Sequence, residues 1–259
     1  MAELRIVRIE EIVREAAHTR TYRFTAGLGG RPGQFLMVWI PGHDELPMAL
    51  SHLDDPQGIT VQAMGDATRA LARFRVGDRL GVRGPYGNTF RVRGESCLFV
   101  GGGTGAASLI AAIEAYAAAG KRVTTVLGAR TKSQLIFEKR AARWGQVHVS
   151  TDDGSKGFKG FATPLAEKLL DTGDFDEVVT CGPEPMMVGV VRAAAKRGLG
   201  VQASLERYMK CAVGICDSCA FDGDLLCVDG PILEGVRLRS SKDFGRFRRD
   251  RSGVRVPLH

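Results

Sequence analysis

Ser96–Gly120, SCLFVGGGTGAASLIAAIEAYAAAG, carries the pattern on which the rest of the chain is built. It opens on the apolar run CLFVG, breaks at a cluster of glycines, and continues as an alanine-rich segment that stops at Gly120. That is the pattern of a buried strand, a tight turn and a helix ended by glycine. The rhythm repeats downstream: RVTTVLG leads into KSQLIFEKRAARW, VHVST into TPLAEKLLD, and EVVTCG into EPMMVGVVRAAAKRG. Strands alternating with helices predict a parallel sheet covered on both faces. Thr163 and Pro164 are expected as N-cap and first residue of one helix, and Gly198 as the stop of the last.

Upstream of Ser96 the pattern differs. LRIVRI, RTYRFTA, GQFLMVWI, ITVQAM and DRLGVRG are short strand-like runs separated by Gly, Pro and Asp, which predicts a small antiparallel barrel. The fold class is therefore α/β plus all-β: an antiparallel β-barrel over residues 1–95, a parallel α/β domain over 96–203, a cysteine-bearing segment over 204–235 and a basic tail over 236–259. The sequence contains no internal repeat and no low-complexity linker.

The glycine turn carries chemistry as well as geometry. Gly101–Gly105 ends a strand and opens a helix, where backbone N–H groups can receive a phosphate, and Gly101, Gly103 and Ala106 satisfy G-x-G-x-x-A. A tight turn with no ligand is the alternative. A standard Rossmann domain places an acid at the end of the second strand, but VTTVLGARTKS offers Arg130, Thr131 and Lys132, pointing to a different nicotinamide-binding α/β fold or to a 2′-phosphate preference. In TCGPEPMM, Cys181 ends a strand and Gly182 and Pro183 lead into a helix, the place where open parallel sheets bind ligands. Ordinary packing of a small buried cysteine explains Cys181 equally well.

Further on, KCAVGICDSCAFDGDLLCVDGP spaces Cys211, Cys216, Cys219 and Cys227 as C-x4-C-x2-C-x7-C, the plant-type ligand order of a [2Fe-2S] cluster. The small residues Ala212, Gly214 and Ala220 let the backbone curl closely and aim N–H groups at sulfur. A structural zinc is the main alternative, but it usually shows two short Cys pairs, and only Cys216 and Cys219 form one here. Disulfides require an oxidising compartment. The N-terminal MAELRIVRIEEIVREAAHTR lacks the apolar core of a signal peptide, so a cytoplasmic location is expected.

No apolar run approaches the ~18 residues of a membrane span. The net charge is +7, and Val236–His259 holds eight Lys/Arg against two Asp, so the basic character belongs to one segment. That tail is expected to be a solvated arm or a docking surface for an acidic partner, with no recognisable nucleic-acid fold around it. His18, His43, His52, His148 and His259 are too scattered for a metal set, Asp152 and Asp153 with Gly154 read as a turn, and Cys97 is expected to pack in a strand.

Taken in order, RPGQF, GPYGNTF, VGGGTGAASL, LGART and CGPEPMM resemble the ferredoxin-NADP reductase superfamily. With SLERYMKCAVGICDSCAFDGDLLCVDGPI, essentially the whole chain is similar to the electron transfer subunits of B-type dihydroorotate dehydrogenase. TDDGSKGFKGFAT and DFGRFRRDRSG look like that family too, the latter like its archaeal members.

The resemblance implies FAD at the barrel–sheet junction, a nicotinamide site and a [2Fe-2S] cluster facing an FMN-bearing catalytic subunit, in a complex of two plus two. It places FAD near Pro47, Met48, Ala49, Val61, Gln62 and Ala63, with Gly65, Ala67, Thr68, Gly84 and Gly87 around its phosphates. NAD(H) falls to Gly102, Gly103, Thr104, Gly105, Cys181, Gly182 and Pro183. The implied route runs from dihydroorotate through FMN, cluster and FAD to NAD⁺ in pyrimidine synthesis, with no catalytic base on this chain. A hydride moves two electrons while a cluster accepts one, so a flavin is needed between them.

The chain departs from the reductases' R-x-Y-S motif: Leu46 stands where the Arg would be and Ala49 where the Ser would be, and the alternative is that LPMALS is simply a core strand. A lost charged hydrogen bond costs about 1.5–3 kcal/mol, so weaker FAD retention is expected, with Ser51 or a backbone amide as substitute donor. Two alternatives share parts of this pattern. One is the diaphorase subunit of a cytosolic hydrogenase or sulfite reductase; the other is a regulatory iron-sulfur or zinc protein touching nucleic acid through its tail.

Overall fold

The structure, a computed structural model, describes residues 3–258. Its first part contains β1 (Arg5–Arg8), β2 (Glu11–Ala16), β3 (Thr19–Phe24), β4 (Phe35–Trp39), β5 (Glu45–His52), β6 (Gln57–Gln62), the short helix α1 (Asp66–Leu71) and β7 (Arg79–Tyr86). The seven strands form one antiparallel sheet in the order β1-β7-β4-β5-β6-β3-β2. β1 and β2 are its two edges, yet only Ile9 and Glu10 separate them in the chain, so the sheet must roll until its edges meet. Hydrogen bonds confirm the closure: Ile9 N–H donates to Asp78 O at one edge and Glu10 N–H to Arg23 O at the other, both 2.8 Å. Ile9, Tyr22, Phe24, Leu36, Leu50, Ile59 and Leu80 fill the barrel.

The turn-punctuated runs leave out β2, and LPMALS, which also reads as a core strand, lies within β5. β2, EIVREA, is a largely exposed edge with charges interspersed. β5 holds Pro47, which normally argues against a central strand. β5 pairs with β4 through Glu45–Ala49 but with β6 only from Leu50, so at Pro47 one side has no ladder and no N–H is required there.

The second part contains β8 (Ser96–Gly102), α2 (Ala106–Ala118), β9 (Arg122–Ala129), α3 (Glu138–Ala141), β10 (Gln146–Thr151), β11 (Phe158–Lys159), α4 (Ala162–Thr172), β12 (Glu177–Cys181), α5 (Glu184–Ala195) and β13 (Gly200–Ser204). Its sheet runs β11-β10-β9-β8-β12-β13, all parallel. Alternation along β8 sends Cys97 and Phe99 into the core beneath α2, and Leu98 and Val100 into the core beneath α4 and α5. Gly120 (φ 77) and Gly198 (φ 70) follow α2 and α5 in the left-handed conformation expected of helix stops.

Two local expectations are corrected. α4 begins at Ala162, placing Thr163 and Pro164 inside its first turn, with Phe161 at the N-cap. The helix expected over KSQLIFEKRAARW shrinks to α3, because Ile136 and Phe137 turn into the α2-side core and the chain passes through Phe137 with φ 60.

The cysteine segment leaves the sheet after β13 and forms a small hairpin, β14 (Ala220–Phe221) and β15 (Asp224–Leu225). It returns as β16 (Ile232–Glu234), which adds to β13 antiparallel. α6 (Gly235–Arg239) and a terminal hairpin, β17 (Phe247–Arg249) and β18 (Arg255–Pro257), complete the chain. The basic tail is folded back onto the body. Asp222 accepts hydrogen bonds from the Lys242 and Asp243 amides (2.6 and 3.1 Å) and from the Ser241 hydroxyl, while Arg251 reaches Asp44 on the barrel at 2.9 Å.

Candidate electron-transfer site

β8 and β12 are neighbours in the sheet, so their glycine turns meet at its carboxyl edge. A Cβ on Gly105 would lie 2.4 Å from Cys181 O, and one on Gly182 (φ 150) would lie 2.9 Å from the Gly102 backbone. The two turns therefore lock back to back, and only residues without a side chain allow it. Gly103, at φ 54, instead faces open space. The turns form the floor of a cavity of about 790 Å³ lined by Gly102, Gly103, Thr104, Gly105, Gly182 and Pro183, with Thr19, Gln62 and Met64 entering from the barrel. Backbone N–H groups at the start of α2 and an open approach at Gly103 fit a dinucleotide phosphate.

Cys181 is fully buried below these turns, and burial pushes its thiol up to about 12. Arg130 and Asp152 line the far wall of the cavity, and Glu206 lines it from the start of the cysteine segment. Lys132 N–H donates to Ser155 Oγ at 2.7 Å and the Thr131 hydroxyl bonds with Ser133 Oγ at 2.8 Å. Asp153 accepts from Ser155 N–H at 2.9 Å, closing the turn expected there.

The barrel contributes strand edges. Leu50 N–H donates to Gln34 O (3.0 Å), so by alternation the Ala49 amide points to the opposite edge, which β6 leaves unpaired over Glu45–Ala49. That edge presents a backbone donor to a flavin. Leu46 and Met48 pack toward the barrel core. Ser51 is fully buried and its hydroxyl is committed to Gly58 O (3.2 Å) and Thr60 Oγ1 (2.8 Å). On β6, Val61 faces the barrel core while Gln62 lines the cavity, and Ala63 N–H donates to His18 O at 2.9 Å.

Around α1, the Thr68 hydroxyl accepts from the Met64 and Gly65 amides (both 3.0 Å), Gly65 faces open space, and Ala67 packs against the barrel core. Gly84 and Gly87 are enclosed: a Cβ on Gly87 would meet Pro231 Cδ at 2.6 Å, and one on Gly84 would meet Leu36 Cδ2 at 3.1 Å. Their lack of a side chain serves packing in the barrel and its junction with the cysteine segment.

The cysteine loop is wound tightly, with Ala212 (φ 59), Gly214 (φ 77) and Asp217 (φ 54) left-handed. Non-glycine residues rarely adopt this conformation, and two occur here within six positions. The winding aims the Val213 and Ile215 amides at Cys211 Sγ, at 3.5 and 3.4 Å. Burial raises the Cys211 thiol, but these donors, the Cys216 amide and the Cys216 side chain outweigh it and bring it down to about 6. Burial and the adjacent Cys219 thiol push Cys227 up to about 12.

Cys211 thus associates with Cys216, and Cys219 with Cys227. The four thiols sit in one loop with backbone donors aimed at sulfur, the chemistry a cluster needs, although among the described residues no three potential ligands already converge on one metal position. All six cysteines are free thiols. Of the histidines, His52 sits against Arg140, and His259 lies outside the described residues.

Several residues with structural roles here were not singled out from the sequence. Arg83 on β7 makes a two-pronged ion pair with Glu45 (2.6 and 2.7 Å) and donates to the carbonyls of Cys211 (2.8 Å) and Lys210 (3.1 Å). Asn88 stitches the barrel exit to the segment after Cys227 by bonding Asp229 O, Ile232 O and Ile232 N–H (2.9, 2.9 and 3.0 Å). Their signal was faint: a charged residue inside a strand run and a polar residue after a glycine turn.

A rolled antiparallel barrel, a parallel α/β domain with glycine turns at its carboxyl edge and a paired-thiol loop between them define a flavin- and nicotinamide-dependent oxidoreductase with an iron-sulfur site. The signature of the iron-sulfur cluster binding domain of dihydroorotate dehydrogenase B matches residues 206–239. Proteins named "probable dihydroorotate dehydrogenase B (NAD(+)), electron transfer subunit" are similar over nearly the full length. That of Methanocaldococcus jannaschii is 42% identical, covering 97% of both chains. That of Methanocella arvoryzae is 43% identical over 96% of this chain and 97% of its own.

Among solved structures, a chain of an NADH-dependent reduced ferredoxin-NADP oxidoreductase superposes with a TM-score of 0.82 at 30% identity, covering 91% of this chain and 90% of that one. A ferredoxin reductase of carbazole 1,9a-dioxygenase shares the fold alone, with a TM-score of 0.68 at 20% identity over 76% of this chain and 66% of that one. The chain belongs to the family of dihydroorotate dehydrogenase B electron transfer subunits.

Proposed function

We propose that this chain passes electrons between a separate, FMN-bearing dihydroorotate dehydrogenase catalytic subunit and NAD⁺, in a cytoplasmic complex of two plus two subunits. Bound FAD supplies the exchange between two-electron and one-electron transfer that a nicotinamide and a [2Fe-2S] cluster require of each other. The reading rests above all on the pairing of β4 with β5. Phe35 and Met37 on β4 share one core with Ala212, Cys219 and Cys227, and opposite them on β5 stand Ala49 and Pro47. Paired strands lie about 4.7–4.9 Å apart. The cysteine loop is bonded to Arg83 on β7 and shares a core with β4, and β4 lies between β7 and the β5 edge that carries the Ala49 amide.

In this reading Gly102–Gly105, Gly182 and Pro183 hold the nicotinamide nucleotide, and Gln62 with the Ala49 amide orients the flavin. Cys211, Cys216, Cys219 and Cys227 ligate the cluster. The Ala49 N–H takes the place of the hydroxyl missing from its side chain, since the Ser51 hydroxyl is engaged elsewhere. Cys181 positions the turn from beneath and makes no contact with the cavity. Among the described residues no helix is long and apolar enough to cross a membrane. The tail's attachment to its own body favours a structural role over nucleic-acid binding.

The similarity to the ferredoxin-NADP oxidoreductase chain supports a second reading, a diaphorase-type subunit serving another complex. Mixing the purified chain with a B-type catalytic subunit, dihydroorotate and NAD⁺ separates the two. NADH formed only when both proteins are present is the expected result. Complex formation absent, with NADH-dependent dye reduction intact, favours the second reading.

A further inference from the structure

We infer that the flavin-bearing catalytic subunit docks across two surfaces at once: the rim of the cysteine loop, and an apolar patch on the outer wall of the barrel formed by Leu4, Ile6 and Trp39. The inference rests on the partner assigned above. An exposed cysteine, Cys216, marks the side of the loop open to a partner, and Ile215 (78% exposed) and Val228 (53% exposed) flank that loop. A stable interface takes about 800 Å² from each partner, far more than one loop tip offers. The contact must spread onto a neighbouring surface.

The barrel wall supplies one. The outward face of β4 carries Phe35, Met37 and Trp39 in turn. The first two are buried in one core with the cysteine segment, whereas Trp39 is 37% exposed. Across β7 and β1 its row continues as Gly81 and Ile6, the latter 55% exposed. A Cβ on Gly81 would come within 2.9 Å of the Trp39 ring and 3.0 Å of Leu4 Cδ1, so these side chains close over the bare strand as a flat apolar platform. A strand glycine commonly marks such a close approach.

The same face of β7 carries Arg83, two residues on, bonded to the carbonyls of Cys211 and Lys210. The platform thus begins where the cysteine segment ends. The Glu45–Arg83 and Asp44–Arg251 pairs border it, giving the apolar centre and polar rim of a protein interface.

Ile6→Asp and Trp39→Glu are expected to weaken binding of the B-type catalytic subunit at least tenfold, with iron, flavin and NADH-dependent ferricyanide reduction unchanged. Trp144→Glu, an exposed aromatic of the α/β domain, should bind normally. If Ile215→Asp weakens binding but Ile6→Asp and Trp39→Glu do not, the platform is no part of the interface. Should either barrel variant lose its flavin, hydrogen exchange of the unaltered chain decides. Protection of residues 4–8 and 37–40 on complex formation supports the inference, and protection confined to 211–228 overturns it. Failure of the unaltered chain to bind the catalytic subunit would instead overturn the assigned partner, and this inference with it.

Discussion

Arg83 donates to both oxygens of Glu45 and to the carbonyls of Cys211 and Lys210, so one side chain fixes the cysteine loop to the barrel. Its side chain is 17% exposed, and a charged hydrogen bond is worth about 1.5–3 kcal/mol. Arg83→Ala should lower stability in urea denaturation by about that amount and reduce iron content at unchanged flavin. Cys216→Ser, at an exposed position proposed as a cluster ligand, should abolish labile sulfide while the chain still folds, as iron, sulfide and circular dichroism measurements would show.

His52 offers a pH test. Burial, then the charges of Arg140 and Arg23, bring it down to about 3, against 6.5 unperturbed. The unfolded chain therefore binds a proton between these values that the folded chain refuses. The stability this neutral imidazole contributes is complete above about 6.5 and is lost as pH falls toward 3. His52→Asn should flatten the acid side of the stability curve relative to the unaltered chain.

At the scale of elements, turn punctuation reveals β1, β3, β4, β6 and β7, because clusters of Gly, Pro and Asp bound short runs rich in apolar and β-branched residues. It leaves β5 open between a core strand and a flavin motif because Pro47 mimics a break, and that proline is tolerated only because β6 starts pairing at Leu50, a long-range fact no local pattern contains. The strand-to-helix turns at Gly101–Gly105 and Gly182 were legible through their glycines, and the cysteine loop through its spacing. Arg83 and Asn88 were not, because their partners in the cysteine segment lie more than a hundred residues away.

Two substitutions probe these elements. Gly182→Ala forces a Cβ to 2.9 Å from the Gly102 backbone, and steady-state kinetics should show a KM for NADH raised at least tenfold with the visible spectrum intact. Gly214→Val places a branched side chain at φ 77 and 3.0 Å from Val228 Cγ2. It should cost about 1–2 kcal/mol and deplete the cluster, read by denaturation and iron assay.

Across the whole molecule, the most interior ion pair joins three parts of the chain. Arg207, at the start of the cysteine segment, bonds Glu184 at the head of α5 (2.5 and 3.1 Å) and reaches Phe247 O in the terminal hairpin, while Glu184 also accepts from Gly245 N–H at 2.6 Å. The side chains are only 3% and 6% exposed. Removing one partner of such a pair leaves a buried charge and typically costs about 3–5 kcal/mol. Arg207→Ala should show that loss in chemical denaturation, and Glu184→Leu combined with Arg207→Met should recover most of it.

In the proposed function, nicotinamide, flavin and a cysteine-held cluster work as one relay within this chain. Anaerobic titration of the purified protein with NADH, followed by visible absorption and paired with iron, sulfide, zinc and flavin assays, tests it most directly. Equal iron and labile sulfide, FAD on release, and bleaching of both chromophores by NADH are the expected results. Zinc without sulfide, or a flavin that NADH leaves oxidised, would contradict the relay.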